Sequence, residues 1–406
     1  MGQRQERKSG TMKLKWLLAH RLNIYKSILS QHITVYRVIV AIGFVIAIAL
    51  ALTIPAQMSG ASPWAYYYGV QNFSHGKLVI DSQLLSYEAR EAMQKGGVLV
   101  QYVHIAHNKW ALEKAPGYVF YLVPFEWLGI PRWGNVLLAL GMIIVTFILL
   151  KRLRDEKTAC IGTLLMLFTP VSLFMLNRSF MDSFASLSFV VMGGGLYIYY
   201  HLEQDKLRPM TGGVILFLAF LLTSWSVVTR YSNFPIAVIL ALHYAITRFI
   251  AFQRGERKNW RFEMSSVVLG IGLPLVALLL YDYFVFGSPL KYGYQYSSFP
   301  IKFAYQYLGQ VNEAGESIPF QIILNNLKIV PQALFLGYPL LVIGIPGICV
   351  VLYQKISSLF KRGNVSGTWS SLRTELHWDI LLILIGWFIS VFCLYMAYEF
   401  TAGLKG

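Results

Sequence analysis

The sequence predicts an all-α polytopic membrane protein with about nine transmembrane helices, plus interfacial or re-entrant helices in its first outer loop. Three observations carry this. Of the 406 residues, 56% are hydrophobic and 13% charged, and the mean hydropathy is +0.53, far from a soluble globular domain. A spanning helix needs roughly 20 mostly apolar residues. Such runs lie at about 36–56, 133–150, 158–176, 183–200, 212–229, 234–252, 265–286, 329–353 and 379–399. Lys and Arg gather in alternate connecting segments, as insertion topology requires.

Taken in order, Arg4, Arg7, Lys8, Lys13, Lys15, Arg21 and Lys26 precede the first run and place the N-terminus in the cytoplasm. Leu14, Leu18, Leu22, Tyr25 and Leu29 recur at helical spacing among those bases. Residues 1–35 therefore read as a basic amphipathic segment on the inner membrane surface. Counting alternately from there, the basic loops at 151–157, 203–209, 248–263 and 353–373 fall on that same side. The transmembrane domain covers about 36–400, with outer segments at about 57–132 and 287–328. No organelle signal is evident, so a plasma membrane is expected.

The net charge of +16 sits mostly in these juxtamembrane loops, where lipid and topology account for it, so no nucleic-acid partner is expected. Cys160, Cys349 and Cys393 lie within predicted spans and form no disulfide or zinc pattern. The chain carries no Walker motif, dinucleotide fingerprint or HExxH. It also shows no pair of matching interrupted helices of the kind secondary transporters use.

The first outer segment is long and contains Asp81, Glu88, Glu91, Glu113 and Glu126. "AYYYGVQNFSHGKLVID" and "DSQLLSYEAREAMQKGG" predict a helix, a turn at Gly76 and a second surface helix. His104 and His107 form an HxxH pair, a weak metal signal without nearby cysteines. In "NKWALEKAPGYVFYLVPFEWLG" (108–129), Pro116 and Pro124 bracket an apolar stretch too short to span, which reads as a re-entrant or interfacial helix. Glu113 and Lys114 then sit at the outer water-lipid boundary.

Charges also occur where positive-inside bias selects against them: Arg178 and Asp182 in "NRSFMD", and Arg230 in "VVTRYSNFP". Two readings stand side by side. Arg178 and Asp182 make a local ion pair while Arg230 snorkels, or the guanidinium groups bind a phosphate, which their planar fork suits. Tyr292, Tyr294, Tyr296, Phe303, Tyr305 and Tyr307 line the second outer segment, either as an interfacial aromatic belt or as a stacking surface for a sugar or isoprene unit. Asp282 is a charge close to membrane depth.

Four stretches in order resemble the C-type (GT-C) integral membrane glycosyltransferases, the class that includes protein mannosyltransferases and aminoarabinose transferases. "LEKAPGYVFYLVPFEWLG" is similar to the family's Lys-x-Pro-(Pro/Gly) segment and following helix. "GTLLMLFTPVSLFMLNRSFMDSFASLSFV" is similar to its helix pair with an acid after the outer turn. "VVTRYSNFP" resembles its Thr-Arg-Tyr helix end, and "YFVFGSPLKYGYQY" its Phe-Gly-Ser-Pro stretch leading to Gly-Tyr.

The resemblance implies transfer of a sugar from a polyprenyl-phosphate donor to a protein or glycan acceptor at the outer face, among membrane lipids. The base would be Asp81, with Glu88 as runner-up. Lys114, Arg178 and Arg230 would stabilise the leaving phosphate, with Asp182 orienting Arg178 and with Tyr231 and Tyr294 against the substrate. Participation of a divalent metal stays open.

Two departures matter. "SGASPWAYYYG" lacks the acid that the family places near the end of the first span, which keeps a non-catalytic scaffold or lipid-handling subunit as the alternative. Family members also continue beyond "YMAYEFTAGLKG", so the resemblance implies a truncated or divergent chain, or a partner subunit completing this region.

Overall fold

The computed structural model describes residues 34–53, 61–81, 101–106, 109–169, 172–173, 176, 180–255, 260–297, 303–312, 315–337, 353, 357 and 378–397. Within them the chain is mostly helical, with eleven α-helices. In chain order these are α1 (Val35–Thr53), α2 (Ala61–Ser74), α3 (Gly117–Trp127), α4 (Trp133–Leu153), α5 (Glu156–Leu167), α6 (Asp182–Glu203), α7 (Pro209–Thr229), α8 (Phe234–Gln253), α9 (Trp260–Phe286), α10 (Ile318–Gly337) and α11 (Trp378–Ala397). Five helical segments among the described residues are long and apolar enough to cross a membrane: α4, α6, α7, α8 with its preceding turn, and α9.

Local chemistry sets the helix ends. Pro209 and Pro235 occupy the first turns of α7 and α8, where a missing N–H costs nothing. The Asp155 carboxylate accepts a 2.6 Å hydrogen bond from the Thr158 N–H and caps α5. Lys151 and Arg152 close the last turn of α4, on the side favoured by the helix dipole.

Burial separates the helices. In α6 72% of the spanning window is buried, whereas only 17% is buried in the segment containing α8. Packing against both α4 and α7 makes α6 the central helix. Val268, Leu273 and Val276 on α9, and Leu242, Ile246 and Phe249 on α8, are each more than half exposed. An apolar surface of that extent on two long helices belongs against lipid rather than water.

Two expectations are corrected. The first outer segment is not purely helical: it holds a three-stranded antiparallel sheet of β1 (Ile80–Asp81), β2 (Tyr102–Ala106) and β3 (Lys109–Leu112), ordered β1-β3-β2. The register pairs Ile80 with Trp110, Asp81 with Lys109 and Tyr102 with Leu112. Aromatic and β-branched residues in "YVHIA" fit a half-buried pleat, and Tyr102, Val103, Ala111 and Leu112 supply the buried contacts. Helix α2 and the turn at Gly76 (φ +73°) match expectation, while the second surface helix expected at 81–97 lies, beyond Asp81, outside the described residues. The eighth run also starts early, because α10 begins at Ile318 rather than near 329. Its opening turn, "IPFQII", is apolar enough to join the helix.

Helix α3 runs for 11 residues with Pro124 inside it, as the short apolar stretch implies. It packs on α2. Tyr66 and Tyr118 meet edge to face at 5.4 Å, the Tyr118 hydroxyl donates to Asn135 Oδ1 at 2.8 Å, and Trp127 Nε1 donates to the Ser74 carbonyl at 2.9 Å. These contacts fix α3 between α2 and the start of α4.

Candidate functional site

The site is assembled at the N-terminal end of α6. Phe180 takes a left-handed backbone conformation (φ 64°), which costs a non-glycine residue about 1–2 kcal/mol. Its buried ring, set edge-on to Tyr67 at 5.4 Å, holds it there. Met181 then runs extended, and Asp182 opens α6 only 5% exposed.

Arg230 comes from α7, which packs antiparallel beside α6. As the extended residue capping α7, it aims its guanidinium back at α6. Arg230 Nη1 donates to Ser183 Oγ at 2.9 Å, and Nε stands 3.9 Å from Asp182 Oδ2. Three residues on, Asn233 Nδ2 donates to Ser186 Oγ at 2.6 Å, so the turn after Arg230 is tied to α6 as well.

Lys114 arrives on the joint between β3 and α3. Backbone contact positions it, because a Cβ on Gly117 would lie 2.6 Å from the Val228 carbonyl carbon and 2.7 Å from the Thr229 nitrogen. Only glycine permits this approach of α3 to the end of α7. Trp225 Nε1 seals it with a 3.2 Å hydrogen bond to the Gly117 carbonyl. On the other side a Cβ on Gly293 would lie 2.6 Å from the Glu113 Cα, so the short turn Gly293–Tyr296 sits directly on the Glu113–Lys114 backbone. The Lys114 ammonium lies 5.7 Å from the centre of the Tyr66 ring, in reach of a cation–π attraction.

These groups border a cavity of about 570 Å³ whose charged lining residues are Lys114, Asp182 and Arg230. Aromatic rings form much of the remaining wall. Tyr231 meets Tyr292 at 5.7 Å and Tyr294 at 6.2 Å, and Phe303 stacks on Tyr305 at 5.8 Å. One lining hydroxyl, Thr229 Oγ1, is buried without a hydrogen bond among the described residues, whereas the Tyr66 phenol is hydrogen-bonded to the Asp182 carboxylate. Thr229 is 1% exposed, and such a group is costly unless something completes it.

The electrostatics follow from burial. Desolvation lowers the Lys114 pKa, with Asp182 and Glu113 opposing and Arg230 adding to the fall. Burial raises the Glu113 pKa, against a hydrogen bond from Ser297 and the attraction of Lys114. Burial also disfavours the Arg230 charge, but Asp182 with Tyr395, Tyr66 and Tyr294 outweighs it and holds that pKa above the ordinary value. The Tyr66 phenol is pushed well up by burial and by the Asp182 carboxylate, so it stays a neutral donor. With two cations and one carboxylate among the described residues of its wall, the cavity suits a ligand that carries an anion and presents hydroxyls.

Five of the residues expected at the site, Lys114, Asp182, Arg230, Tyr231 and Tyr294, line this one cavity. Tyr292, Phe303 and Tyr305 line it too, whereas Tyr296 stacks on Phe286 at 5.3 Å. Asp81, the expected base, sits on β1 opposite Lys109 and is not among the lining residues. Glu88 and Arg178 lie outside the described residues. Asp182 stands 3.9 Å from Arg230, on a helix distant in sequence, and its expected pairing with Arg178 falls outside the described residues. His104 is exposed on β2 against Trp110 at 5.2 Å, and His107 lies outside the described residues. Among the described residues no three His, Cys, Asp or Glu side chains gather where they could hold a metal ion.

Sequence reasoning missed Tyr66, Thr229 and Tyr395 as lining residues. The tyrosine triplet in "WAYYYG" and the Thr beside Arg230 were the available signals. Comparison with protein-family models and with curated proteins gives no match.

Proposed function

We propose that the chain is a GT-C-type membrane glycosyltransferase that moves a sugar from a polyprenyl-phosphate donor to a protein or glycan acceptor. About nine spanning helices would hold it in a plasma membrane, with the N-terminus cytoplasmic and the cavity facing outward. One observation carries the reading. The four stretches that resemble the family, far apart in sequence, each contribute to a single cavity: Lys114, Asp182, Arg230 with Tyr231, and Tyr292 with Tyr294.

The chemistry assigns roles to these groups. The acceptor oxygen attacks the anomeric carbon, the bond from that carbon to the phosphate oxygen breaks, and polyprenyl phosphate leaves with the electron pair. Arg230 and Lys114 meet the charge gathering on that phosphate. The acceptor proton passes to a carboxylate, and Asp182 is the described carboxylate in position, in place of Asp81. Thr229 offers its uncompleted hydroxyl to the sugar. The tyrosine wall supplies a stacking face for the ring or the first isoprene.

A second reading has its own support. Asp182 is already engaged by Arg230, and no other carboxylate lines the cavity among the described residues, which favours a lipid-binding scaffold that has lost its base. Purified chain incubated with radiolabelled polyprenyl-phosphate sugars and a cell-envelope acceptor extract separates the two. Transfer abolished by Asp182→Asn and retained by Asp81→Asn supports the enzyme with this base. Transfer unaffected by Asp182→Asn removes the assignment, and donor binding with no transfer favours the scaffold.

A further inference from the structure

A second cavity, of about 770 Å³, lies far along the helices from the first and has the opposite character. Helix α1 packs on α5, and α4 packs on α5 and α6, which leaves a groove along α1 and α4. Its walls are aliphatic and aromatic, with Val40, Val45, Leu140, Ile144 and Ile148 among them. One end alone is charged, by Arg37, Lys151 and Arg152, beside Tyr199.

The dimensions match one leaflet. At a rise of 1.5 Å per residue, Arg37 to Val45 spans about 12 Å and Leu140 to Arg152 about 18 Å, against a half-thickness of about 15 Å for the hydrocarbon core. A chain lying in the groove with its polar group at Arg37 would end near mid-membrane. Val45, Ile144 and Ile148 are 64%, 47% and 45% exposed, so the described residues leave this surface uncovered.

We propose that this groove binds an anionic glycerophospholipid, its phosphodiester at Arg37, Lys151 and Arg152 and an acyl chain along α1 and α4. Charge decides the occupant. Among the described residues the three cations are matched by two carboxylates set behind them: Glu156, which pairs with Arg37 at 2.8 Å and Lys151 at 3.4 Å, and Glu203, which pairs with Arg152. Neither carboxylate lines the groove, so the surface it presents is cationic. A guanidinium has five donors and can serve a carboxylate and a phosphate together. A zwitterionic headgroup would bring its own cation to the same cluster, and the basic segment 1–33 would bring like charge.

Native mass spectrometry of the full chain in non-ionic detergent, titrated with phosphatidylglycerol and with phosphatidylcholine of the same acyl chains, tests this. One phosphatidylglycerol should be retained with at least about a tenfold preference. The triple variant Arg37→Gln, Lys151→Gln, Arg152→Gln should bring that preference near unity. Ile144→Trp, which fills the groove and leaves the charges, should weaken retention of the lipid about tenfold, with gel filtration verifying the fold of both variants. Equal retention of the two lipids, or a preference unchanged in both variants, overturns the proposal. So does tighter phosphatidylglycerol binding after removal of residues 1–33, which would make that segment the occupant, or polyprenyl phosphate outcompeting phosphatidylglycerol there.

Discussion

Arg230–Asp182 and Arg37–Glu156 are both arginine–carboxylate pairs, one at the start of α6 and one at the basic ends of the helices. Arg37 Nε meets Glu156 at 2.8 Å, with Lys151 sharing the same carboxylate and Thr34 donating to it at 2.8 Å. Arg230 Nε stands 3.9 Å from Asp182, and its firm hydrogen bond goes to Ser183 instead. The first pair is closed, its carboxylate shared by Arg37, Lys151 and Thr34. The second is loose, lies beside the buried Tyr66 phenol and borders a cavity with one uncompleted hydroxyl, that of Thr229. A closed carboxylate is satisfied within the protein and leaves only the outer donors of its cations to a ligand, whereas a pair held open at a cavity wall offers both partners to a third party.

The comparison breaks or sharpens at four points. The largest effect belongs to Arg230→Gln, expected to lower transfer about 10²–10³-fold, with Arg230→Lys restoring only part because a point charge lacks the fork. A full rate in Arg230→Gln would reduce the loose pair to structure. Next comes Gly117→Ala, whose new methyl would fall within 2.6–2.7 Å of the Val228–Thr229 backbone. It should cost about 1–3 kcal/mol in thermal or denaturant unfolding and misplace Lys114, so a stability like that of the parent would show that the α3–α7 approach is not tight.

The third effect is pH-dependent. With the Lys114 pKa depressed by burial, the ammonium is present below that pKa and lost above it, so affinity for polyprenyl phosphate should fall as pH rises, earlier than an ordinary lysine would allow. Lys114→Arg should flatten the profile, and a profile identical in both proteins would contradict the assignment. The smallest effect belongs to Arg37→Gln. Its side chain is 37% exposed, so the change should cost under about 1 kcal/mol and leave transfer intact.

Much of the helical scaffold was legible because lipid imposes one simple demand, a run of about 20 apolar residues. The short sheet was not. Strands of 2, 5 and 4 residues are too brief for an alternation signal, and β1 forms only because β3 lies beside it. The site was half legible. Lys114, Asp182 and Arg230 stood out as charges in places where topology disfavours them, whereas the approach of Arg230 to Asp182 depends on how α7 packs against α6. Asp81 was read from a segment that resembles the family's acid-containing one, whereas its place on β1 opposite Lys109 is a tertiary fact. Tyr66 looked like one aromatic among three, and its place beside Asp182 and Lys114 depends on how α2 packs against α3.

A structure of the chain with polyprenyl phosphate bound tests the central claim most directly. The phosphate should lie within hydrogen-bonding distance, about 2.7–3.2 Å, of Arg230 and Lys114, with the first isoprene against Tyr231 and Tyr294. A phosphate seated instead at Arg37, Lys151 and Arg152, with the Arg230 cavity filled only by water, would contradict it.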